Sequence, residues 1–331
     1  MEDPILLRDA AALFGVKVDR LRKAASEGRL RVRLVGTQRL VVPSEVERFL
    51  REGGHSRAAV QPVAAQGGDS MARIIAVAIP KGGTGKTTTV LNLGTALAEQ
   101  GQRVLLVDSD PQASLTLALG LESQGLEHTL YSALKYYLTT FRSQIELAIQ
   151  KTEIGVDVVP SSIRLNRVQE ELSATVQREF ALQRLLAPVA TRYDVILIDT
   201  LPYLGILVIN ALVAAQEVLI PMEPEYLATE SVTMMLEDID FIHRSGLNPG
   251  LSVTGILLTQ VDQRTVIHRQ VANYMRTEFG NRAHVFETMV KQSIRFPESQ
   301  ACHQSILQYE PDGEGAMAYR ALAREILNAT A

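Results

Sequence analysis

Residues 79–89 read IPKGGTGKTTT, a stretch with three glycines, two lysines and four threonines in eleven positions. It follows an apolar run, RIIAVAI at 73–79, and precedes a segment of helical periodicity at 87–100. Glycines let a loop fold tightly with its N–H groups pointing inward, and a helix N-terminus adds the positive end of a dipole. The stretch therefore predicts a phosphate-binding loop between the first strand and the first helix of an α/β domain.

The chain after residue 70 alternates short Val, Ile and Leu runs with helical stretches. Such runs are typical of strands buried on both faces, and repeated β-α-β units predict a doubly wound, mostly parallel sheet with helices on both faces. The predicted strands are 73–79, 103–110, 156–160, 193–200, 217–222 and 253–260, and the predicted helical stretches are 87–100, 162–187 and 229–244. Residues 130–150 also form a helical region, whose aromatic side chains either pack in the core or contact a partner.

The first part of the chain has a different pattern. Residues 1–52 predict helix, turn, helix, a hairpin around Gly36 and Thr37, and a last helix after Pro43, whereas the Gly- and Ala-rich residues 53–70 predict a flexible linker. This order resembles the winged helix-turn-helix modules of the MerR and excisionase families. The resemblance implies a small DNA-binding domain, and the alternative is a module for protein contact or dimerisation. The large α/β domain then covers residues 71–331.

Charge and composition limit the function classes. Residues 1–58 hold twelve Lys or Arg against eight Asp or Glu, whereas the rest of the chain has an excess of acids, and this asymmetry favours an acidic partner for the first part. No apolar run is long enough to span a membrane, and Met1 is followed by acids rather than by a signal sequence. The single cysteine, Cys302, excludes an internal disulfide, and we expect a cytoplasmic protein.

Within the loop, each residue type suggests a role. Lys86 is expected to reach the β- and γ-phosphates, Thr87 to bind Mg²⁺ through its hydroxyl, and Thr88 to donate to the α-phosphate. The backbone of Gly82, Gly83, Thr84 and Gly85 completes the cradle. The usual spacing G-x-x-x-x-G-K-T fails in its first place, which Pro80 occupies, and K-G-G-x-G-K-T remains.

That pattern is the deviant Walker A loop, and the chain resembles the ParA/MinD family of dimerising ATPases over residues 72–327. The resemblance implies that Lys81 reaches across a two-fold interface to the nucleotide of a second subunit. ATP and Mg²⁺ are the implied cofactors, and an ATP-dependent homodimer is the implied assembly.

Acidic residues follow two predicted strands. Asp108 and Asp110 end the run VLLVDSD, and Asp199 ends YDVILID, which fits a Walker B strand. The resemblance assigns Asp110 to the attacking water, Asp199 to Mg²⁺ through water, and Asp108 to the magnesium surroundings. The alternative for the first pair is a turn that caps the next helix.

The resemblance extends toward the C-terminus. It places Asn210 near the nucleotide or its switch region, with a buried helix polar residue as the alternative, and it includes Pro297 at the nucleotide. It also implies non-specific DNA binding by the ATP dimer, centred on Arg295 of the motif SIRFPES. The remaining candidates for DNA contact are Lys291, Arg282, Arg269 and Arg264 in the large domain and Lys17, Arg20, Arg22, Lys23 and Arg39 in the small one.

The sequence thus predicts a partition ATPase associated with the nucleoid, whose hydrolysis a ParB-type centromere-binding protein stimulates. The chain end MAYRALAREILNATA lacks the lysine-rich amphipathic tail of membrane-bound relatives, so no membrane attachment is expected. By resemblance to larger plasmid-type members of the family, the N-terminal module also implies that the protein represses its own operon. Three alternatives stay open: a positioner of another cargo, a nucleotide-controlled transcriptional regulator, and a metabolic P-loop synthetase.

Overall fold

The computed structural model describes two compact units, Met1–Gln66 and Gly67–Ala331. The described residues are 5–6, 21, 23–25, 30, 32–35, 38–42, 46, 71–173, 175–225, 228–262, 264–280 and 282–328. No helix within these ranges is long and apolar enough to cross a bilayer.

The described part of the first unit contains a small antiparallel sheet. Strands β1 (Ile5–Leu6), β2 (Arg33–Val35) and β3 (Gln38–Val41) pair in the order β1-β3-β2. Strands β2 and β3 form a hairpin at the predicted position, and Leu21 and Ala24 are buried. Lys17, Arg20 and Arg22 lie outside the described residues, so the helix-turn-helix motif stays a prediction.

The second unit is built on one eight-stranded sheet in the order β11-β10-β9-β4-β8-β5-β7-β6. All neighbours pair in parallel except β6 and β7, which are antiparallel. The strands are β4 (Arg73–Val77), β5 (Val104–Asp108), β6 (Gln150–Lys151), β7 (Asp157–Val159), β8 (Val195–Asp199), β9 (Glu217–Met222), β10 (Ser252–Val261) and β11 (Val285–Lys291). The predicted fold class is confirmed, and the two edge strands β6 and β11 are additions to it.

Helices cover both faces of this sheet. Those that begin before residue 200 are α1 (Lys86–Glu99), α2 (Ser114–Ala118), α3 (Leu130–Thr140), α4 (Leu165–Ser173) and α5 (Ala181–Leu186). Those that follow are α6 (Ile206–Ala214), α7 (Ala228–Arg244), α8 (Val266–Phe279), α9 (Arg295–Ala301), α10 (Ile306–Tyr309) and α11 (Glu314–Asn328).

Strand alternation explains the two layers. Ile74 and Ala76 of β4 pack in one hydrophobic core with residues of α3 to α8, whereas Ile75 and Val77 pack in the other with α1 and α11. Successive strand side chains point to opposite faces, so apolar residues at every position bury both. The central strands therefore end together at the edge that carries the phosphate loop.

Two predicted helical regions are interrupted in the structure. The stretch 162–187 divides into α4, a 3-10 turn at Arg178–Phe180 and α5, because Gln177 has a left-handed φ of 57° that a continuing helix does not allow. The region 130–150 ends as a helix at Thr140, where Phe141 has a φ of 54°, and continues into a 3-10 turn and β6. Side-chain periodicity did not reveal these backbone reversals.

Asn210 lies in the packing between α5 and α6 rather than at the phosphate loop. It is buried, its Oδ1 accepts from the N–H of Leu182 at 3.0 Å, and its Nδ2 donates to the carbonyls of Arg178 at 2.9 Å and Ile206 at 2.8 Å. These bonds use both ends of the amide. The structure therefore favours the buried-polar alternative, and a place for Asn210 near the nucleotide or its switch region stays a prediction.

Replacing Asn210 by alanine is expected to lower the free energy of unfolding by about 1–3 kcal/mol, since buried backbone groups at Leu182 and Arg178 lose their partners. Urea unfolding checks this value. Nucleotide affinity of the folded protein should stay within twofold of the wild type. Asn166→Ala, at an exposed amide on α4, is the matched control and should change stability by less than about 0.5 kcal/mol; an equal loss in both variants would contradict the bracing role.

Candidate nucleotide site

A cavity of about 420 Å³ opens at the carboxyl ends of the central strands. Gly82, Gly83 and Gly85 form one side of it together with the first residues of α1. Cavities of this size are typical of small-ligand sites, and a helix N-terminus favours anions. The predicted phosphate loop thus lines a site large enough for a nucleotide.

Strand β10 holds the loop in shape. Thr259 donates from Oγ1 to the carbonyl of Thr84 at 2.8 Å, and Gln260 donates from Nε2 to the carbonyl of Gly83 at 2.5 Å. Gly83 and Gly85 have φ values of 77° and 82°, a region in which side chains are strained. The side chain of Thr84 is buried and its Oγ1 has no partner among the described residues, so the contact expected of its backbone stays a prediction.

Lys86 lies inside the loop. Its Nζ donates to the carbonyl of Lys81 at 2.8 Å, and the residue is 8% exposed. Burial lowers the pKa of Lys86, and the negative charges of Asp199 and Asp110 oppose that shift. A phosphate in the cavity would supply the anionic partner that this ammonium group has only in part.

Lys81 points elsewhere. Its Nζ lies 2.7 Å from Oε2 of Glu225, in the segment after β9, and Lys81 is not among the residues that line the cavity. Its side chain is 28% exposed. The two lysines of the loop therefore occupy different positions, one within the phosphate cradle and one directed away from it.

Asp108 and Asp199 are both fully buried and face each other across β5 and β8, where they are paired in register. Burial and the neighbouring Asp108 raise the pKa of Asp199 well above its usual range. Burial likewise raises the pKa of Asp108 to about 7, although hydrogen bonds from Thr116 oppose the shift. Two adjacent carboxylates in a dry space call for cations nearby.

The residues present fit a magnesium ion. Thr87 donates from Oγ1 to Oδ2 of Asp199 at 2.7 Å, while Oδ1 of Asp199 is buried without a partner among the described residues. Mg²⁺ in nucleotide sites uses one or two protein oxygens, with waters and phosphates completing the octahedron. Asp108 has different contacts, since Oδ2 accepts from the N–H and Oγ1 of Thr116 and Oδ1 accepts from the N–H of Asp110. It holds Asp110 and α2 in place, and a direct magnesium role for it stays a prediction.

Asp110 lines the cavity and is partly exposed. Its backbone N–H donates to Asp108, and its Oδ1 accepts from the N–H of Gln112 at 2.8 Å. One carboxylate oxygen therefore remains for a solvent molecule at the phosphate end. This position is compatible with the predicted contact to the attacking water.

The opposite wall of the cavity is formed by α9 and the segment after β11. Pro297 lines it as predicted, together with Phe296, Gln300 and Tyr319. Gln300 donates from Nε2 to Oγ1 of Thr88 at 3.0 Å, which joins α9 to the start of α1. Several lining residues were missed because they follow other strands and were not singled out by a motif. They are Thr200, Pro202, Gln260, Gln292, Ser293, Phe296, Gln300 and Tyr319.

Four of the five predicted DNA contacts of the large unit form ion pairs with acids. Arg295 lies 2.9 Å from Glu298 and 3.6 Å from Glu310, and Lys291 lies 2.8 Å from Glu314. Arg282 pairs with Asp240, and Arg264 pairs with Asp262. The side chains of Arg269 and Arg39 lie outside the description, whereas Lys23 is exposed in a helical segment of the first unit. Lys291 is the last residue of β11, and Arg295 is the first residue of α9, which follows it in the chain.

Comparisons with known proteins agree with this geometry. A family profile described as an AAA domain matches residues 72–253. The sporulation initiation inhibitor protein Soj of Bacillus subtilis is 39% identical over 256 residues, which cover 77% of this chain and 98% of Soj. The chromosome partitioning protein ParA of Caulobacter vibrioides is 37% identical over 259 residues, which cover 77% and 94%.

A solved structure gives the same result for the fold. The cobyrinic acid a,c-diamide synthase from Mycobacterium smegmatis with bound ADP and magnesium superposes with a TM-score of 0.68 at 34% identity, covering 78% of this chain and 96% of that one. A profile that matches more than half of the chain, and relatives of this identity and coverage, define the family. With its phosphate loop of two lysines on a parallel sheet, the chain belongs to the ParA-type partition ATPases of the ParA/MinD superfamily.

Proposed function

We propose that the chain is a dimerising ATPase that segregates a chromosome or plasmid, with ATP and Mg²⁺ as its cofactors. Two subunits bind face to face around their nucleotides, and the resulting dimer binds DNA without sequence preference. A ParB-type partner stimulates hydrolysis, after which the dimer separates and releases DNA. Such a protein would be located on the nucleoid in the cytoplasm.

The position of Lys81 is the observation that carries this proposal. Lys86 already occupies the phosphate cradle, whereas Lys81 is directed out of it and contacts Glu225. A nucleoside triphosphate with one Mg²⁺ keeps excess negative charge, which a further cation stabilises. A second subunit could present its own nucleotide to Lys81 at this exposed position.

The chemistry follows from the residues described. Bound Mg²⁺ supplies charge compensation for the phosphates, and Thr87 and Asp199 would hold it. Lys86 neutralises the phosphates from within the loop, and Asp110 orients a water at the open side of the cavity. Slow turnover is expected until a partner completes the site.

The first unit supports an additional role. Its hairpin lies where the wing of a winged helix-turn-helix module was predicted, and the sequence around it is basic. We infer that residues 1–52 bind operator DNA and repress the operon of the protein. Binding of one DNA sequence by this part, in preference to random DNA, would test that role.

The name of the mycobacterial structure suggests a second candidate, an ATP-dependent synthase acting on a small acid. Such an enzyme needs ATP turnover that depends on the acid and is indifferent to DNA. Turnover of purified protein with and without DNA and cobyrinic acid separates the two functions. Stimulation by the acid alone would favour the synthase.

Lys86→Ala is expected to raise the Kd for ATP by about a hundredfold, since it removes a buried charge from the phosphates. Lys81→Ala is expected to keep most of the affinity but to prevent ATP-dependent dimerisation. Titration with a fluorescent ATP analogue and analytical ultracentrifugation measure the two effects. Dimerisation of Lys81→Ala with wild-type strength would contradict the proposed contact, whereas Lys151→Ala, a lysine on β6, should leave both properties unchanged.

Asp110→Ala is expected to dimerise and bind DNA with ATP while hydrolysing it at least about tenfold more slowly, because the water loses its acceptor. Phosphate release measures turnover, and DNA retention on beads reports the dimer. Asp312→Ala, at a surface turn before α11, is the matched control. Wild-type turnover in Asp110→Ala would remove this residue from the mechanism.

Arg295→Glu is expected to weaken DNA binding by the ATP dimer about tenfold or more at low salt, because a reversed charge repels the phosphate backbone. Fluorescence anisotropy with random duplex DNA measures the effect. Arg324→Glu, on the exposed face of α11, carries the same charge change and should leave DNA binding nearly unchanged. Equal loss in both variants would indicate a general effect of net charge and contradict a patch at Arg295.

A further inference from the structure

A second cavity, of about 380 Å³, opens beside helix α3 and shares no lining residue with the nucleotide cavity. The start of α3 forms one wall, the chain that follows β7 forms another, and the loop before α3 closes the third. Nothing in the proposed ATPase cycle uses these residues. The contents of the cavity can be inferred from its polar groups.

A buried hydroxyl without a partner lies in the wall. Ser162 is 4% exposed, and its Oγ makes no hydrogen bond to any residue that the structure describes. A buried polar group in this state is costly, and buried side-chain oxygens are in most cases paired. Ser162 is therefore suited to donate a hydrogen bond to an acceptor that enters the cavity.

Two cations line the same cavity. The guanidinium of Arg164 forms no ion pair or hydrogen bond within the described ranges, in contrast to Arg264, Arg282 and Arg295, which all pair with acids. Among the residues that the structure describes, Lys135 contacts the neutral Tyr131, with Nζ 3.4 Å from Oη and 5.7 Å from the ring centre. The acidic lining residue is Glu127, which is exposed. The lining thus has an excess of one positive charge.

The available donors favour a carboxylate over a phosphate. Phosphate sites at helix starts use several free backbone N–H groups. Here the N–H of Thr129 donates to Oγ of Ser132 at 2.9 Å, and that of Leu130 donates to the carbonyl of Pro160 at 2.8 Å. The cavity offers one planar guanidinium, one ammonium and one buried hydroxyl, and together these groups match a planar group with a single negative charge.

We propose that this cavity binds an Asp or Glu side chain from a peptide segment of a partner protein. The carboxylate lies against Arg164 and accepts from Ser162, and Tyr131 and Tyr136 contact the adjoining peptide. Tyrosine and arginine are the residues that protein interfaces concentrate at their centres. The site is separate from the nucleotide, so a partner bound there leaves the phosphate loop free.

A random nonapeptide library, panned on the full-length wild-type protein and counter-selected on Arg164→Glu, tests the proposal. The expected result is an enriched motif with one invariant acidic position. A selected peptide should lose affinity about tenfold or more when that position becomes Gln, and equally when the protein carries Arg164→Glu. Arg164→Lys should retain part of the affinity, since it keeps the charge but not the planar fork.

Arg142→Glu is the matched control. Arg142 is also an exposed arginine, it lies near the end of α3, and it does not line the cavity. It should bind the selected peptides as the wild type does. Thermal unfolding of each variant confirms that the fold is intact. No enrichment, a motif without an acid, or equal loss in Arg142→Glu would overturn the proposal, as would tenfold tighter binding of the peptide with phosphoserine at the acidic position.

Discussion

The repulsion between two buried carboxylates is the constraint on which the nucleotide site depends. Asp108 and Asp199 end neighbouring parallel strands in register, so the fold itself places them side by side away from water. Each such group must be protonated, hydrogen-bonded or matched by a cation. Thr116 and the N–H of Asp110 donate hydrogen bonds to Asp108. Thr87 donates a hydrogen bond to Asp199, which also lies near the ammonium of Lys86. A bound Mg²⁺ would therefore supply the positive charge that this pair of carboxylates calls for.

Motif-bearing parts of this arrangement could be predicted from the sequence. The phosphate loop, the parallel sheet and the acidic strand ends follow from glycine spacing and from uninterrupted apolar runs, because both patterns are local. The cavity positions of Gln260 and Gln300 could not be predicted, since these residues approach the loop from segments far apart in sequence. The role of Asn210 stayed open for a related reason, because an asparagine within an apolar helix has the same pattern whether it contacts a ligand or a neighbouring backbone.

The surface charges show a similar limit. Counting basic residues near the C-terminus predicts a cationic patch, but the structure pairs Arg264, Arg282, Lys291 and Arg295 with acids. Exposed ion pairs are weak, so DNA phosphates can compete for these arginines at little cost. The paired acids nevertheless lower the local positive potential. For the proposed dimer, such a surface predicts DNA binding that depends steeply on salt and needs two subunits acting together.

The hydrogen bonds from strand β10 to the phosphate loop bear on the nucleotide selectivity of the protein. Thr259 and Gln260 fix two loop carbonyls through their own side chains, so the cradle has its shape before any ligand arrives. A cradle held in this way costs little ordering entropy when phosphates bind, whether the nucleotide is a diphosphate or a triphosphate. In the proposed dimer, the distinction between ADP and ATP would then come from groups outside the loop that contact the terminal phosphate. We therefore expect a second subunit, rather than the loop of one subunit alone, to distinguish the triphosphate from the diphosphate.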